Sequence, residues 1–326
     1  KTNMESSDAV VQGTSNDAAV SRESAARLGY IDDPFIRHFV KRPLRRAPLI
    51  NRGTHSRFDG VQRILRQFIK QTQKDSQGHA CGQIVVLGAG MDTSYFLLRQ
   101  QGLLPRRYFE IDFSDITAKK AATVYRSSAL RALLPEDTVV AEGGSELHSA
   151  EYSLLGGDLR QFESQVVPKL MARGFDCSEP TLFLSECVLI YLDPQHSDAI
   201  LNWITANVAH AGILTYEQIL PTDRFGQMMI ENLRARGLEL RGLHAYPTLQ
   251  SNSQRFLDLG WHSAVAVDLA TYHEQLLEPL ERERLAKIEF LDEWEEFILL
   301  AQHYAFTFAF TSQSSHFAHM DIEKPN

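Results

Sequence analysis

Five short apolar runs, each separated from the next by a helix-length stretch, constrain this chain more than any other feature. They are QIVVL (83–87), RYFEID (107–112), YSLLGGDL (152–159), TLFLSE (181–186) and ILTYEQ (213–218). A strand covered on both faces reads as a continuous apolar run rather than an alternating one. The spacers at 93–101, 113–125, 161–173 and 194–208 read as helices. Strands joined through helices need right-handed crossovers, so the pattern predicts an α/β fold with a parallel sheet sandwiched between helical layers.

Residues 1–15 are small and polar and are expected to form a disordered tail. Helices are expected at 17–28 and 54–71, the second carrying Phe58, Val61, Ile64, Leu65 and Phe68 at three- and four-residue steps. Beyond the fifth strand, helices are expected at 223–236, 251–259 and 291–300, and strands at 262–268 and 304–311. There is no internal repeat and no long linker. One domain over 16–326 follows, with a helical extension (16–80) ahead of the core (81–326).

Three separated cysteines, Cys81, Cys177 and Cys187, match no metal-ligand spacing and read as reduced thiols of a cytosolic or nuclear protein, with the cytoplasm the expected location. No apolar run reaches the roughly 20 residues that cross a bilayer, so no membrane association is expected. The net charge of −8 argues against general nucleic-acid binding, yet residues 37–74 hold eleven Lys or Arg and one acid, Asp59. Two readings stand for this segment: a partner or anion site, or a solvated basic helix face.

Gly88 and Gly90 follow the first strand directly, and a turn without Cβ atoms lets backbone approach a ligand. Asp112 ends the second strand, where this kind of sheet binds ribose hydroxyls, with Glu110 two residues earlier on the same face. Asp158 and the amide of Leu159 follow the third strand and suit an adenine edge, although Asp158 also reads as a helix cap. Glu186 ends the fourth strand and has an ion-pair reading. A dinucleotide site would want a third glycine; Met91-Asp92-Thr93 stands there instead. Asp92 would repel a diphosphate at the helix start and tolerate an ammonium group. The balance falls on S-adenosylmethionine over NAD.

These residues carry a resemblance. The chain is similar to the leucine carboxyl methyltransferases, which methylate the C-terminal leucine of the protein phosphatase 2A catalytic subunit. The likeness runs from about Val11 to Phe310, through LGYIDDPFIRHFV, APLINRGTHSR, IVVLGAGMDT, YFEIDF, LFLSECVLIYL, DRFGQMMIENL and IEFLDEWEEF. It implies a class I S-adenosylmethionine-dependent methyltransferase fold, Rossmann-like, with seven mostly parallel strands and the last antiparallel. It also implies cofactor contacts from Arg22, Arg57, Gly88, Asp112, Asp158, Leu159 and Glu186. Arg22 and Arg57 rest on resemblance alone, and Arg22 takes a place where lysine occurs in relatives.

The implied reaction needs no general base, because a C-terminal carboxylate with a pKa of about 3.3 is already ionised. Arg57 is assigned to orienting a carboxylate, that of the cofactor or that of the substrate. Tyr191, Tyr216 and Arg224 are candidate walls of a leucine pocket; their alternative is core aromatics and a helix start. The expected partner is the phosphatase tail, taken up by a monomer, with no nucleic acid. The runner-up is the related tRNA wybutosine carboxyl methyltransferase, whose propeller-type repeat region has no counterpart before Asn326. A non-catalytic Rossmann-like scaffold is the reading from another class.

Overall fold

The computed structural model describes residues 2–72, 81–312 and 316–323. Lys74, the end of the basic segment, and the expected boundary at residue 80 lie outside the described residues. The strands are β1 (Gln83–Leu87), β2 (Arg107–Asp112), β3 (Val139–Ala141), β4 (Glu146–His148), β5 (Tyr152–Gly156), β6 (Thr181–Glu186), β7 (Ala211–Gln218), β8 (Ser263–Asp268) and β9 (Tyr304–Phe310). They form one sheet in the order β3-β4-β5-β2-β1-β6-β7-β9-β8. β5, β2, β1, β6 and β7 pair in parallel, and β9 runs antiparallel between β7 and β8. This is the expected seven-stranded arrangement with its closing strand reversed. The antiparallel β3–β4 pair, which the sequence pattern does not announce, extends the sheet at its β5 edge.

Alternation along β1 divides the core. Ile84 and Val86 pack into the apolar cluster that includes Val61, Ile64, Leu65 and Phe68. Val85 and Leu87 point the other way, into the cluster of Phe183, Ile200, Leu201 and Trp203. Successive residues of a strand face opposite sides, so a run of four apolar residues serves two helical layers at once. The four helices needed below are α1 (Thr2–Arg27), α2 (Pro48–Thr72), α3 (Ser94–Gln100) and α4 (Ser114–Arg126).

The N-terminal segment departs from expectation. Residues 2–15, read as tail, are the first half of α1. The physical reason lies in tertiary contacts. Arg160 reaches Asp8 through both terminal nitrogens, at 3.0 and 2.8 Å, and Arg236 pairs with Asp17. A small, polar helix carries little apolar periodicity, so its order comes from partners far along the chain.

Beneath the sheet's ligand end lies a buried ion pair. Glu110 on β2 and Lys120 on α4 contact each other with no exposed side-chain surface. Lys120 Nζ also donates to the Asp92 carbonyl at 2.7 Å, and the Tyr152 hydroxyl donates to Glu110 at 3.2 Å. Burial pushes the Glu110 carboxyl up, against the pull of Lys120, to about 7. Removing one partner of such a pair leaves an uncompensated buried group. Lys120→Met is therefore expected to cost about 3–5 kcal/mol in urea unfolding at neutral pH; a loss under about 1 kcal/mol would show that the pair contributes nothing.

Candidate active site

The carboxyl ends of β1, β2, β5, β6 and β7 converge on a cleft of about 480 Å3, roofed by α1 and α2. The size is that of a pocket for a small organic cofactor. Gly88 and Gly90 form its floor with φ of +69° and +49°. A Cβ on Gly88 would collide with the Val188 side chain. The turn thus needs glycine twice over, for conformation and for clearance.

Asp112 secures that turn. Its Oδ2 accepts from the Gly90 N–H at 2.7 Å and its Oδ1 from the Phe113 N–H at 2.7 Å. Burial raises its pKa while these amides oppose the shift. Each oxygen still has acceptor capacity toward the cleft. Asp158 caps a short turn at Leu159–Gln161, accepting from the Arg160 N–H at 2.9 Å, so its cap reading is realised. Its carboxylate is also held by the Arg160 guanidinium at 2.7 Å. Both Asp158 and Leu159 line the cleft, and Leu159 opens the turn, where a helix leaves its own N–H unused.

Arg22 and Arg57 descend from the roof. Arg57 Nε donates to Glu186 Oε2 at 2.7 Å, and its guanidinium lies 4.9 Å from the Tyr216 ring centroid. Burial works against its charge, but Glu186 outweighs that and raises the Arg57 pKa further. Arg22 bridges two acids, Nε to Asp33 and Nη1 to Asp92, each at 2.8 Å, and lies over the Phe58 ring. Its third nitrogen, Nη2, is buried without a protein partner.

Asp92 has partners that the sequence pattern does not announce. Its carboxylate is neutralised by Arg22 and accepts from the Ser94 N–H at 3.1 Å and hydroxyl at 3.0 Å. It plugs the start of α3 and lines the cleft. The pairing spans 70 residues of sequence and has no local signal.

Tyr191 and Tyr216 line the cleft, as expected, but Arg224 does not. Arg224 is exposed on the first turn of the helix Arg224–Ala235, whose cap Asp223 accepts from the Gly226 N–H at 2.7 Å. Residues 219–223 carry the chain away from the end of β7, and the helix-start reading holds. At the far end of that region Arg236 and Arg241 line the cleft instead.

Several lining residues escaped the sequence pattern. Asp8, Val11, Gln12, Ser15, Ala18, Ala19 and Arg22 recur at three- and four-residue steps along one face of α1. The period is there, but in small and polar residues, which a hydrophobic template passes over. Cys187 also lines the cleft, with φ of +56°, a strained value for a non-glycine residue. Burial pushes its thiol up to about 12, with Arg57 opposing.

The donor set suits S-adenosylmethionine. A buried, unpartnered guanidinium nitrogen on Arg22 faces a cleft whose glycine floor clears a ligand backbone. Two carboxylates, Asp112 at the end of β2 and Asp158 just past the end of β5, line the same cleft. Fold and cleft together define a class I methyltransferase. A solved structure of a DUF574 family protein from Streptomyces avermitilis shares the fold, with a TM-score of 0.55 at 12% identity, covering 90% of this chain and 96% of that one.

The sequence comparisons go further. The leucine carboxyl methyltransferase family matches residues 11–205. "Leucine carboxyl methyltransferase 1 homolog" of Arabidopsis thaliana is 40% identical over 308 residues, covering 93% of this chain and 90% of that protein. "tRNA wybutosine-synthesizing protein 4" of Homo sapiens is 38% identical over 296 residues, covering 90% of this chain and 43% of that protein. The chain belongs to the leucine carboxyl methyltransferase family and is an S-adenosylmethionine-dependent carboxyl methyltransferase.

Two outcomes follow from this geometry. Gly88→Ala should weaken S-adenosylmethionine binding by about tenfold or more in calorimetry, since the strain of a left-handed alanine adds to the clash with Val188; unchanged affinity would mean the turn does not contact the cofactor. Glu217, at the end of β7, accepts from the Leu189 N–H at 3.1 Å and is pushed by burial from 4.5 up to about 8. Between those values the folded chain holds a proton that the unfolded chain has released, so this group's contribution to stability falls as pH rises. Glu217→Gln should flatten the decline in Tm across that window, and parallel Tm–pH curves would contradict it.

Proposed function

We propose that this chain esterifies the α-carboxylate of a C-terminal leucine, and that its acceptor is the tail of the protein phosphatase 2A catalytic subunit. The observation that carries the reading is the Arg57–Glu186 pair, stacked on Tyr216 inside the cleft. Glu186 takes one edge of the guanidinium, and the remaining edge is free to orient a carboxylate. An arginine shared in this way steers the nucleophile without gripping it so hard that the ground state gains more than the transition state.

Bound S-adenosylmethionine supplies an electrophilic sulfonium methyl. In this reading Asp112 accepts from the ribose hydroxyls, Asp158 and the Leu159 amide meet the adenine edge, and Arg22 Nη2 binds the methionine carboxylate. Tyr191 and Tyr216 give the leucine side chain an apolar wall. α1 closes the cleft from above and excludes water, which otherwise stabilises the separated charges that the reaction neutralises. No histidine is found among the described residues lining the cleft, and burial raises Tyr191, Tyr216 and Cys187. A reaction on an already ionised carboxylate asks for none of them as a base. The three separated cysteines support a reducing, cytoplasmic setting for this chemistry.

Mass spectrometry tests the reading. A synthetic phosphatase tail ending in leucine should gain one methyl ester when incubated with the protein and cofactor, and its C-terminal amide should gain none. Arg57→Ala should lower kcat/KM on the peptide by about 10²-fold, with Arg57→Lys recovering part of the loss. Near-normal turnover by Arg57→Ala would remove its orienting role. Ester formation on tRNA with none on the peptide would overturn the acceptor.

A further inference from the structure

The basic segment divides in two. Along α2 three of its arginines turn inward, Arg52 and Arg63 buried and Arg57 entering the cleft, while Arg66 and Lys70 near the helix's end are exposed. Ahead of α2, residues 37–47 run without helix or strand beyond the turn at Ile36–His38, and here Arg37, Lys41, Arg42 and Arg45 are exposed. Arg45 pairs with Glu289 at 2.5 Å. Arg37, Lys41 and Arg42 have no carboxylate partner among the described residues. The cleft cations differ: Arg22, Arg57, Arg160, Arg236 and Arg241 each pair with an acid of this chain.

Both ends of this loop are pinned at the cleft. Ile36 and Ile50 line it, one before the loop and one after. Asp33 accepts from the N–H groups of Phe35 and Ile36 at 3.1 Å. At the other end the Arg46 N–H donates to Ser24 Oγ at 2.9 Å, and Asn51 Nδ2 donates to the Arg46 carbonyl at 3.0 Å. The cations are therefore presented from an anchored loop at the cleft mouth. Two large apolar side chains stand beside them: Leu44, 56% exposed within the loop, and Phe290, 83% exposed next to the Glu289 that holds Arg45.

From this arrangement we infer that the loop at residues 37–47, with Phe290 at its flank, is the docking surface for an acidic, partly apolar face of the protein substrate, outside the methylated tail. This rests on the phosphatase reading above. Exposed cations that the chain's own acids leave unneutralised, in a protein of net charge −8, attract a partner of opposite sign. The exposed Leu44 and Phe290, and the acid Glu289 within the patch, favour a protein face over a phosphodiester backbone, which Glu289 would repel.

The triple variant R37E/K41E/R42E separates the possibilities. These side chains make no hydrogen bond to the described residues, and calorimetry with S-adenosylmethionine verifies that the fold and cofactor site survive. On the intact phosphatase catalytic subunit, kcat/KM should fall by about tenfold or more, and on the isolated tail peptide it should stay within about twofold. Rising ionic strength should slow the native protein on the intact subunit and leave the variant nearly unaffected. A neutral R37Q/K41Q/R42Q variant should fall between the two. Equal losses on peptide and subunit, or no loss on either, overturn the inference while the phosphatase reading stands. No turnover of the subunit by the native protein overturns both. Retention of labelled tRNA by the native protein, lost in the variant without change on the subunit, would assign the loop to nucleic acid instead.

Discussion

The Arg22 guanidinium joins three parts of the molecule that no backbone pairing connects. It leaves α1, pairs with Asp33 in the loop that follows, and reaches Asp92 at the start of α3. Asp33 in turn accepts from the Thr93 hydroxyl at 2.6 Å. An open parallel sheet offers only a crevice at its carboxyl edge. Drawing a helix down onto that edge by paired charges turns the crevice into a roofed cleft. Charges so placed are costly to desolvate and are retained only where their partners are close and well oriented. The roof and the glycine turn therefore depend on one another.

The same economy of charge runs beneath the cleft. Lys120 meets Glu110 and also holds the Asp92 carbonyl, so the buried ion pair and the plug at α3 share one ammonium. Glu217 takes the amides that follow the strained Cys187, fixing the bend by which β6 leaves the sheet. Polar groups placed this deep contribute geometry more than stability, and each leaves an unused atom: Glu110 Oε1 and Glu217 Oε2 are both buried without a partner.

Where a structure is made by local periodicity, the sequence showed it. β1, β2 and β6 match their apolar runs residue for residue, because a strand buried on both faces has no other way to be written. Gly88, Asp112 and Glu186 were legible for a related reason, since strand ends fix where they sit. Features made by distant partners were not. α1 is ordered through Arg160 and Arg236, 152 and 219 residues away from their acids. The β3–β4 pair is three residues per strand, with Val139 and Val140 exposed, which leaves no alternating signature. Arg224 was placed by its nearness in sequence to β7, and the intervening turn defeats that kind of argument.

Cys187 stands in a cleft built to hold an alkylating agent. Sulfur in its thiolate form is a far better nucleophile toward carbon than a carboxylate oxygen. With its thiol held up to about 12 by burial, Cys187 keeps its proton at neutral pH. Burial at the end of β6 thus works against the thiolate, the form of sulfur that would compete with an incoming carboxylate for the transferable carbon.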